Sequence, residues 1–178
     1  TIGKKAFYRS GLKGPLTIPL TVITIDEEAF AQCSRLNSVT ILGSDSVAQT
    51  IGKKAFYRSG INISPFVIPY SVTSIGELAF AYCPFTSLTI QGSRILNNEL
   101  EPPALCTSVG DNAFYACKIT TLKFEENDVS FDKTVFRGCP IQSLTLGHIT
   151  TIPEEAFYGM RTIKETVAIP DNVTSIGN

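Results

Sequence analysis

The chain has 178 residues, of which 43% are hydrophobic and 17% charged, and its formal net charge is −1. This balance is typical of an ordered globular protein and provides no basic footprint for nucleic acid or an anionic membrane. No apolar run reaches the roughly 18 residues of a membrane-spanning helix, so we expect no direct membrane insertion. No secretory leader is visible at Thr1, and because the chain begins and ends inside a repeat we expect it to belong to a longer array.

The dipeptide Ala-Phe marks a repeat that organises the whole sequence. The segment TIGKKAFYRSG occurs at Thr1–Gly11 and returns unchanged at Thr50–Gly60, which is typical of a tandem array. Alignment on the phenylalanine predicts about seven repeats plus the start of an eighth, with Val135 replacing the alanine in the sixth. The aligned phenylalanines are Phe7, Phe30, Phe56, Phe80, Phe114, Phe136 and Phe157.

Each repeat also contains two short segments that predict strands. The first follows the Ala-Phe pair and alternates apolar with polar residues, as expected of a strand with one buried face. Its apolar pairs are Leu16/Ile18, Val39/Ile41, Phe66/Ile68, Leu88/Ile90, Leu122/Phe124, Leu144/Leu146 and Val167/Ile169. Pro19, Pro69 and Pro170 end three of these segments, because proline cannot donate the next ladder bond. The second segment precedes the next Ala-Phe pair, as in Val72–Ile75.

A single coil of this kind buries its apolar side chains against nothing. Stacked coils share one core and pair their strands in parallel, about 4.7–4.9 Å apart. We therefore expect Phe30, Phe56 and Phe80 to lie in one contiguous file.

This pattern resembles the BspA-type leucine-rich repeat family. The clearest matches are IPYSVTSIGELAFAYCPFTSLTI at Ile68–Ile90 and IPDNVTSIGN at Ile169–Asn178. The resemblance implies an α/β leucine-rich repeat solenoid: a right-handed superhelix with a parallel concave sheet, short second strands, and Ala-Phe helical turns on the other side. It also implies a cell-surface or secreted protein of a kind often tied to adhesion to host proteins. We expect one solenoid domain over residues 1–178, truncated at both ends, with an insertion at 91–103.

The cysteines predict small buried residues rather than a disulfide framework. Cys33, Cys83, Cys117 and Cys139 share the third place after the phenylalanine, where other repeats have Ser or Met, and Cys106 falls in a column of Val and Ile. We expect Cys117 and Cys139 to be the one pair on adjacent coils and within disulfide range, and whether they are bridged stays open.

The sequence offers no catalytic constellation. His148 is the only histidine, and a turn position exposed to solvent accounts for it. No Cys-x-x-Cys pair, nucleotide-binding glycine motif or usual zinc ligand set is present. We therefore expect no enzymatic activity, no cofactor and no metal.

Two surfaces are candidates for binding a partner. The outward residues of the predicted concave strands form a weakly polar face: Thr17, Thr40, Val67, Thr89, Lys123 and Thr145. The insertion at 91–103 carries Arg94, Glu99 and Glu101 beside the stiff Pro102-Pro103 pair, and inserted loops often carry recognition. A tolerated neutral insertion explains the loop equally well, because long surface loops cost little. A shorter insertion at Leu42–Gln49 is expected on the same edge.

Three rows of side chains on the other sides predict structural roles. Ser or Thr stands before the apolar anchor of every repeat, which suits an outward hydroxyl row along paired strands. Lysines and acids in equivalent places predict ion pairs of opposite sign between coils. Tyr8, Tyr57, Tyr115 and Tyr158 alternate with smaller residues, so we expect them to cover their neighbours, although an aromatic ligand stripe is an alternative. Arg137 could stack between Tyr115 and Tyr158.

Our hypothesis is a non-enzymatic interaction module that binds another protein or a glycan and no nucleic acid. The alternative is a structural spacer that presents another domain and has no ligand of its own. Because neither end shows a polar capping repeat, we also expect end-to-end self-association at high concentration.

Overall fold

The structure, a computed structural model, describes residues 1–43, 47–91, 107–125, 129–131 and 133–177. Its strands fall into two sets that alternate along the chain. The front strands follow the first six of the seven aligned phenylalanines: β1 Pro15–Ile18, β3 Ser38–Ile41, β5 Phe66–Ile68, β7 Ser87–Ile90, β9 Thr121–Phe124 and β11 Ser143–Leu146. The back strands precede each pair: β2 Thr24–Ile25, β4 Gln49–Ile51, β6 Val72–Ile75, β8 Thr107–Val109, β10 Val129–Ser130, β12 Thr151–Ile152 and β13 Ser175–Ile176.

All strand pairs are parallel and join each coil to the next, which confirms a parallel β-solenoid. The front strands form one sheet of β5, β7, β9 and β11 and a separate pair of β1 and β3. The back strands form one sheet from β2 to β10 and a separate pair of β12 and β13. The predicted hydroxyl row is present on the back strands, where Thr24 pairs with Thr50, Ser74 with Ser108, and Thr151 with Ser175.

The Ala-Phe segments are turns and not helices, so the predicted helical turns are wrong. Within the first segment the N–H groups of Ala6 and Tyr8 donate to carbonyls three residues back, whereas those of Lys5, Phe7 and Arg9 donate to the next coil. This alternation places the residues two before and two after the phenylalanine at positive φ, as at Lys5 (58°) and Arg9 (54°). A helix needs negative φ throughout, so bonding between coils has displaced helical bonding. Across the described ranges no helix is found that could cross a membrane.

The phenylalanine file is confirmed. The rings of Phe7, Phe30, Phe56, Phe80, Phe114 and Phe136 stack in that order, with centroids 5.1–5.6 Å apart and planes within 8° of parallel. Phe157 does not continue the file. Its ring lies 6.1 Å from that of Phe131, which occupies a column held by Ile or Val elsewhere. The larger Phe131 side chain brings an extra ring into the core of the sixth coil and meets Phe157 there.

Two further expectations need correction. The predicted strand at Val167 and Ile169 does not form, and Ile169 is exposed. Cys117 has neighbours on both sides, because Cys83 lies on the coil before it and Cys139 on the coil after it. Neither pair is bridged, since Cys33, Cys83, Cys117 and Cys139 are all free and buried. Cys106 lies outside the described residues.

Glycine follows the apolar anchor because adjacent coils approach closely there. A Cβ atom on Gly76 would lie 2.6 Å from the backbone nitrogen of Lys53, and one on Gly52 would lie 2.9 Å from the carbonyl carbon of Asp26. These contacts are shorter than a side chain can tolerate, so any other residue would push the coils apart.

Candidate functional site: the front face and its cleft

The front strands place the predicted partner-binding residues on one outward face. Thr17 pairs in register with Thr40, Val67 with Thr89, and Lys123 with both Thr89 and Thr145. The side chains of Thr17, Thr40, Lys123 and Thr145 are exposed, and those of Val67 and Thr89 are half-buried. Lys123 is not a free cation on this face, because its ammonium group lies 2.9 Å from the carboxylate of Glu125.

The sheet on this face is interrupted between β3 and β5, and two prolines explain the interruption. Directly after β3, β7 and β9 an N–H group donates to the preceding coil: Leu42 to Ile18, Gln91 to Ile68 and Glu125 to Ile90. The equivalent residue after β5 is Pro69, which has no N–H. In a parallel strand every second N–H group donates to the same neighbouring strand, so Pro65, four residues before Pro69, removes a second donor. Val67 alone is left to donate from β5 to β3.

The interruption opens a cleft of about 300 Å3, which we call the front cleft. Its walls are largely apolar and include Ile41 and Leu42 on one side and Pro65, Phe66 and Tyr70 on the other. Two predicted residues, Thr40 and Val67, line it, whereas Thr17, Thr89, Lys123 and Thr145 lie on the same face outside it. Leu42 is 39% exposed, which leaves an apolar side chain open to a partner at the rim.

Both predicted insertions leave the coil at this cleft. Leu42 and Gly43 begin the shorter insertion and line one rim, and Gln91 begins the longer insertion and also lines the cleft. The remaining predicted residues of the longer insertion, Arg94, Glu99 and Glu101, lie outside the described residues. The repeat pattern alone did not predict this cleft, although the spacing Pro65-x-x-x-Pro69 indicates the missing strand bonds.

A second cleft, of about 600 Å3, lies on the Ala-Phe side between the sixth and seventh coils. It is lined by Phe136, Arg137, Gly138, Tyr158 and Met160, among others. The phenylalanine file and the back sheet both stop at this boundary. Lys133 and Glu155 still bridge the two coils, with ammonium and carboxylate groups 2.9 Å apart.

The predicted ion pairs between coils are confirmed along the Ala-Phe side. Lys4 pairs with Glu27 and Lys53 with Glu77, each at 2.6 Å, and Lys5 pairs with Glu28 at 3.3 Å. The hydrogen bond from Lys4 lowers the pKa of Glu27, and the hydrogen bond to Glu77 raises the pKa of Lys53. These groups are exposed or half-buried, so the row sets the register of neighbouring coils and contributes little stability.

The cysteines at the third place after the phenylalanine form a thiol column: Cys33, Cys83, Cys117 and Cys139. Each thiol donates to the carbonyl of the phenylalanine one coil earlier, at distances of 3.0–3.2 Å. Burial raises the pKa of Cys83 and of Cys139 to about 12, and it also raises the pKa of Cys117. Thiols of this kind are poor nucleophiles, so the column is structural.

Other candidate chemistry is sparse in the described part of the chain. His148 lies exposed in a turn after β11, as predicted. No group of three or more His, Cys, Asp or Glu side chains that could hold a metal ion occurs in those ranges. Stacked coils whose parallel strands form an outward face define the class of β-solenoid repeat proteins.

Comparison with known proteins agrees with this class. The BspA type leucine-rich repeat region, in six copies, matches residues 1–97 and 92–178, so the chain belongs to the BspA-type leucine-rich repeat family. Its fold is also similar to the crystal structure of a leucine-rich cell surface protein from Faecalibacterium prausnitzii A2-165, at 21% identity and a TM-score of 0.46. That alignment covers 97% of this chain and 62% of the other. No curated protein matches the sequence.

Proposed function

We propose that this chain is a non-enzymatic interaction module of a cell-surface or secreted protein, and that it binds another protein or a glycan through its front face. Adhesion to a host or matrix protein is the role that the family resemblance favours. We also propose that the array is a right-handed superhelix with the front strands on its concave side. The alternative function is a spacer that presents another domain.

The observation that carries this proposal is the meeting of three features at one place. The front cleft is apolar and open, the exposed Leu42 stands at its rim, and both insertions leave the coil there. A spacer needs none of these features, because unbroken strand pairing would make a stiffer rod. A gap lined by apolar side chains, at which two insertions begin, suits a recognition surface.

Two changes to the front face test the proposal. Thr40→Arg places a long charged side chain over the cleft, and deletion of residues 91–103 removes the longer insertion. The control is Ser108→Arg, which introduces the same side chain at an exposed position of back strand β8. Attachment is measured to immobilised matrix proteins, to host cells and to an immobilised glycan panel, and circular dichroism verifies folding.

An adhesion module should lose attachment with either front change and keep it with Ser108→Arg. If the unchanged protein attaches to none of these surfaces, or if both front variants attach as well as it does, the spacer is the correct function.

A further inference from the structure

The two identical copies of TIGKKAFYRSG hold their arginines in different ways. In the first copy the Nε–H of Arg9 donates to the side-chain oxygen of Gln32 at 2.8 Å, and the amide of Gln32 donates to the hydroxyl of Tyr8. In the second copy the guanidinium of Arg58 lies over two rings, 5.4 Å from the centroid of Tyr57 and 4.8 Å from that of Tyr82.

The difference comes from the next coil. In the coil after Arg9, the second residue after the phenylalanine is Gln32. In the coil after Arg58, the equivalent residue is Tyr82. Arg9 also lies over the ring before it, 5.2 Å from the Tyr8 centroid, but Gln32 engages its Nε–H. At Arg58 a second ring takes the place of the glutamine, which positions the guanidinium by its flat face and leaves its N–H edge unused. In the described part of the chain the Arg58 guanidinium makes no hydrogen bond or ion pair.

Tyr82 also extends a row of rings that we call the tyrosine ridge: Tyr57, Tyr82 and Tyr115. Tyr82 meets Tyr57 and Tyr115 edge to face, with centroids 5.7 and 5.4 Å apart and planes 89° and 83° apart. Tyr82 is 40% exposed. Rings held by one another lose little freedom when a partner binds, and aromatic residues beside arginine are typical of the energetic centre of protein interfaces. The predicted stacking of Arg137 between Tyr115 and Tyr158 is not among the cation–ring contacts of the described residues, and Tyr158 is 80% exposed.

Charge indicates the kind of partner. Lys54 lies 5.9 Å from the Tyr57 ring and, within the described ranges, has no carboxylate partner. Nearby acids are already engaged, since Glu77 pairs with Lys53 and Glu28 with Lys5. Two cations, Arg58 and Lys54, therefore lie beside the tyrosine ridge without a counter-ion among the described residues, although the chain as a whole has a net charge of −1. An acidic ligand would supply the missing charges.

We propose that the tyrosine ridge and Arg58 form a second docking surface, on a different side of the coil from the front face, for an acidic segment of a partner protein. Arg58 binds a carboxylate through its planar N–H edge, which matches the two oxygens of that group. A carboxylated sugar would need an open ring face for stacking. Here Arg58 covers the faces of Tyr57 and Tyr82, and the edge-to-face contacts occupy further ring surface, so a peptide fits better.

The test uses three fluorescent probes: a short peptide rich in Asp, Glu and Leu, its twin with Asn and Gln in place of the acids, and oligogalacturonate. Binding is followed by fluorescence anisotropy on the unchanged chain and on Arg58→Ala, Arg58→Lys and Arg9→Ala. Arg9→Ala is the matched control, because it removes the same residue from the same local sequence. The tyrosine ring signals in NMR report where the peptide lies.

The acidic peptide should bind and shift the ring signals of Tyr57, Tyr82 and Tyr115. Both Arg58 variants should weaken it about tenfold, since lysine keeps the charge but not the flat fork, and Arg9→Ala should change it less than about twofold. The proposal is overturned if the acidic peptide does not bind, if the amide twin binds equally well, if oligogalacturonate binds more tightly, or if the Arg9 and Arg58 variants weaken binding alike.

Discussion

The thiol column shows how one residue type can join neighbouring coils. Each described cysteine is small enough for the crowded core and still has a donor for the phenylalanine carbonyl one coil earlier. That carbonyl also accepts the backbone N–H of the residue three places after the phenylalanine, as from Ser59 to Phe56, so the thiol adds a second hydrogen bond to it. Serine takes the same place at Ser59, whose hydroxyl lies 3.3 Å from the sulfur of Cys83.

Two replacements of Cys83 distinguish the hydrogen bond that its thiol donates from the space that its side chain fills. Cys83→Ala removes the thiol's bond to the Phe56 carbonyl, which keeps its bond from the Ser59 N–H, and should lower the free energy of unfolding by about 0.5–1.5 kcal/mol. Cys83→Ser keeps a donor, as in other coils, and should cost less than Cys83→Ala. Urea denaturation followed by circular dichroism measures both. If serine destabilised more than alanine, the thiol would be acting only as an apolar filler.

Residue columns could be predicted from the sequence wherever stacking repeats one environment. The phenylalanine file, the hydroxyl row and the ion pairs between Lys4 and Glu27 followed from alignment alone, because equivalent places in successive coils become neighbours in space. The positive φ at Lys5, Arg9 and Leu78 could not be predicted, because glycine, the usual signal for that conformation, is absent there. Phe157 leaves the file of rings because it packs against the ring of Phe131. This contact joins two coils, so the sequence of a single repeat does not reveal it.

Among the elements, front strand β5 is set apart by proline chemistry. Its sequence has the same alternation as the other front strands, so the strand itself was predictable. Its missing partner does not follow from that alternation, because Pro69 by itself indicates only the end of a strand. The two prolines together remove donors toward β3 and create the front cleft.

Restoring those donors should close the cleft. The double variant Pro65→Ser and Pro69→Gln introduces the residues that stand at the equivalent places of β7, Ser87 at its start and Gln91 directly after it. The new N–H groups should pair with β3, and the amide of residue 69 should exchange with solvent about tenfold more slowly than that of an unpaired residue. Hydrogen exchange measured by NMR tests this.

Pro19→Gln provides the control for that exchange experiment. Pro19 has the equivalent place after β1, and within this chain no front strand precedes β1, so its new amide should exchange rapidly. Equal protection of residues 19 and 69 would show that pairing with β3 is not the cause.

At the scale of the whole molecule, stability comes from contacts between coils and not within them. The file of rings, the thiol column and every second N–H bond of the turns join one coil to the next. A coil therefore depends on its neighbours. The same substitution in the same local sequence should change the free energy of unfolding by different amounts, according to which coil lies beside it. The unchanged copies at Thr1–Gly11 and Thr50–Gly60 provide that comparison within one chain.

The most direct test compares Gly60→Ala with Gly11→Ala by urea denaturation of the 178-residue chain. A Cβ on Gly60 would lie 2.2 Å from the carbonyl oxygen of Ser34 on the preceding coil, whereas one on Gly11 meets nothing within 4 Å. Gly60→Ala should lower the free energy of unfolding by about 2–3 kcal/mol, and Gly11→Ala should change it by less than about 0.5 kcal/mol. Equal effects at the two positions would contradict the stacking of coils on which the account depends.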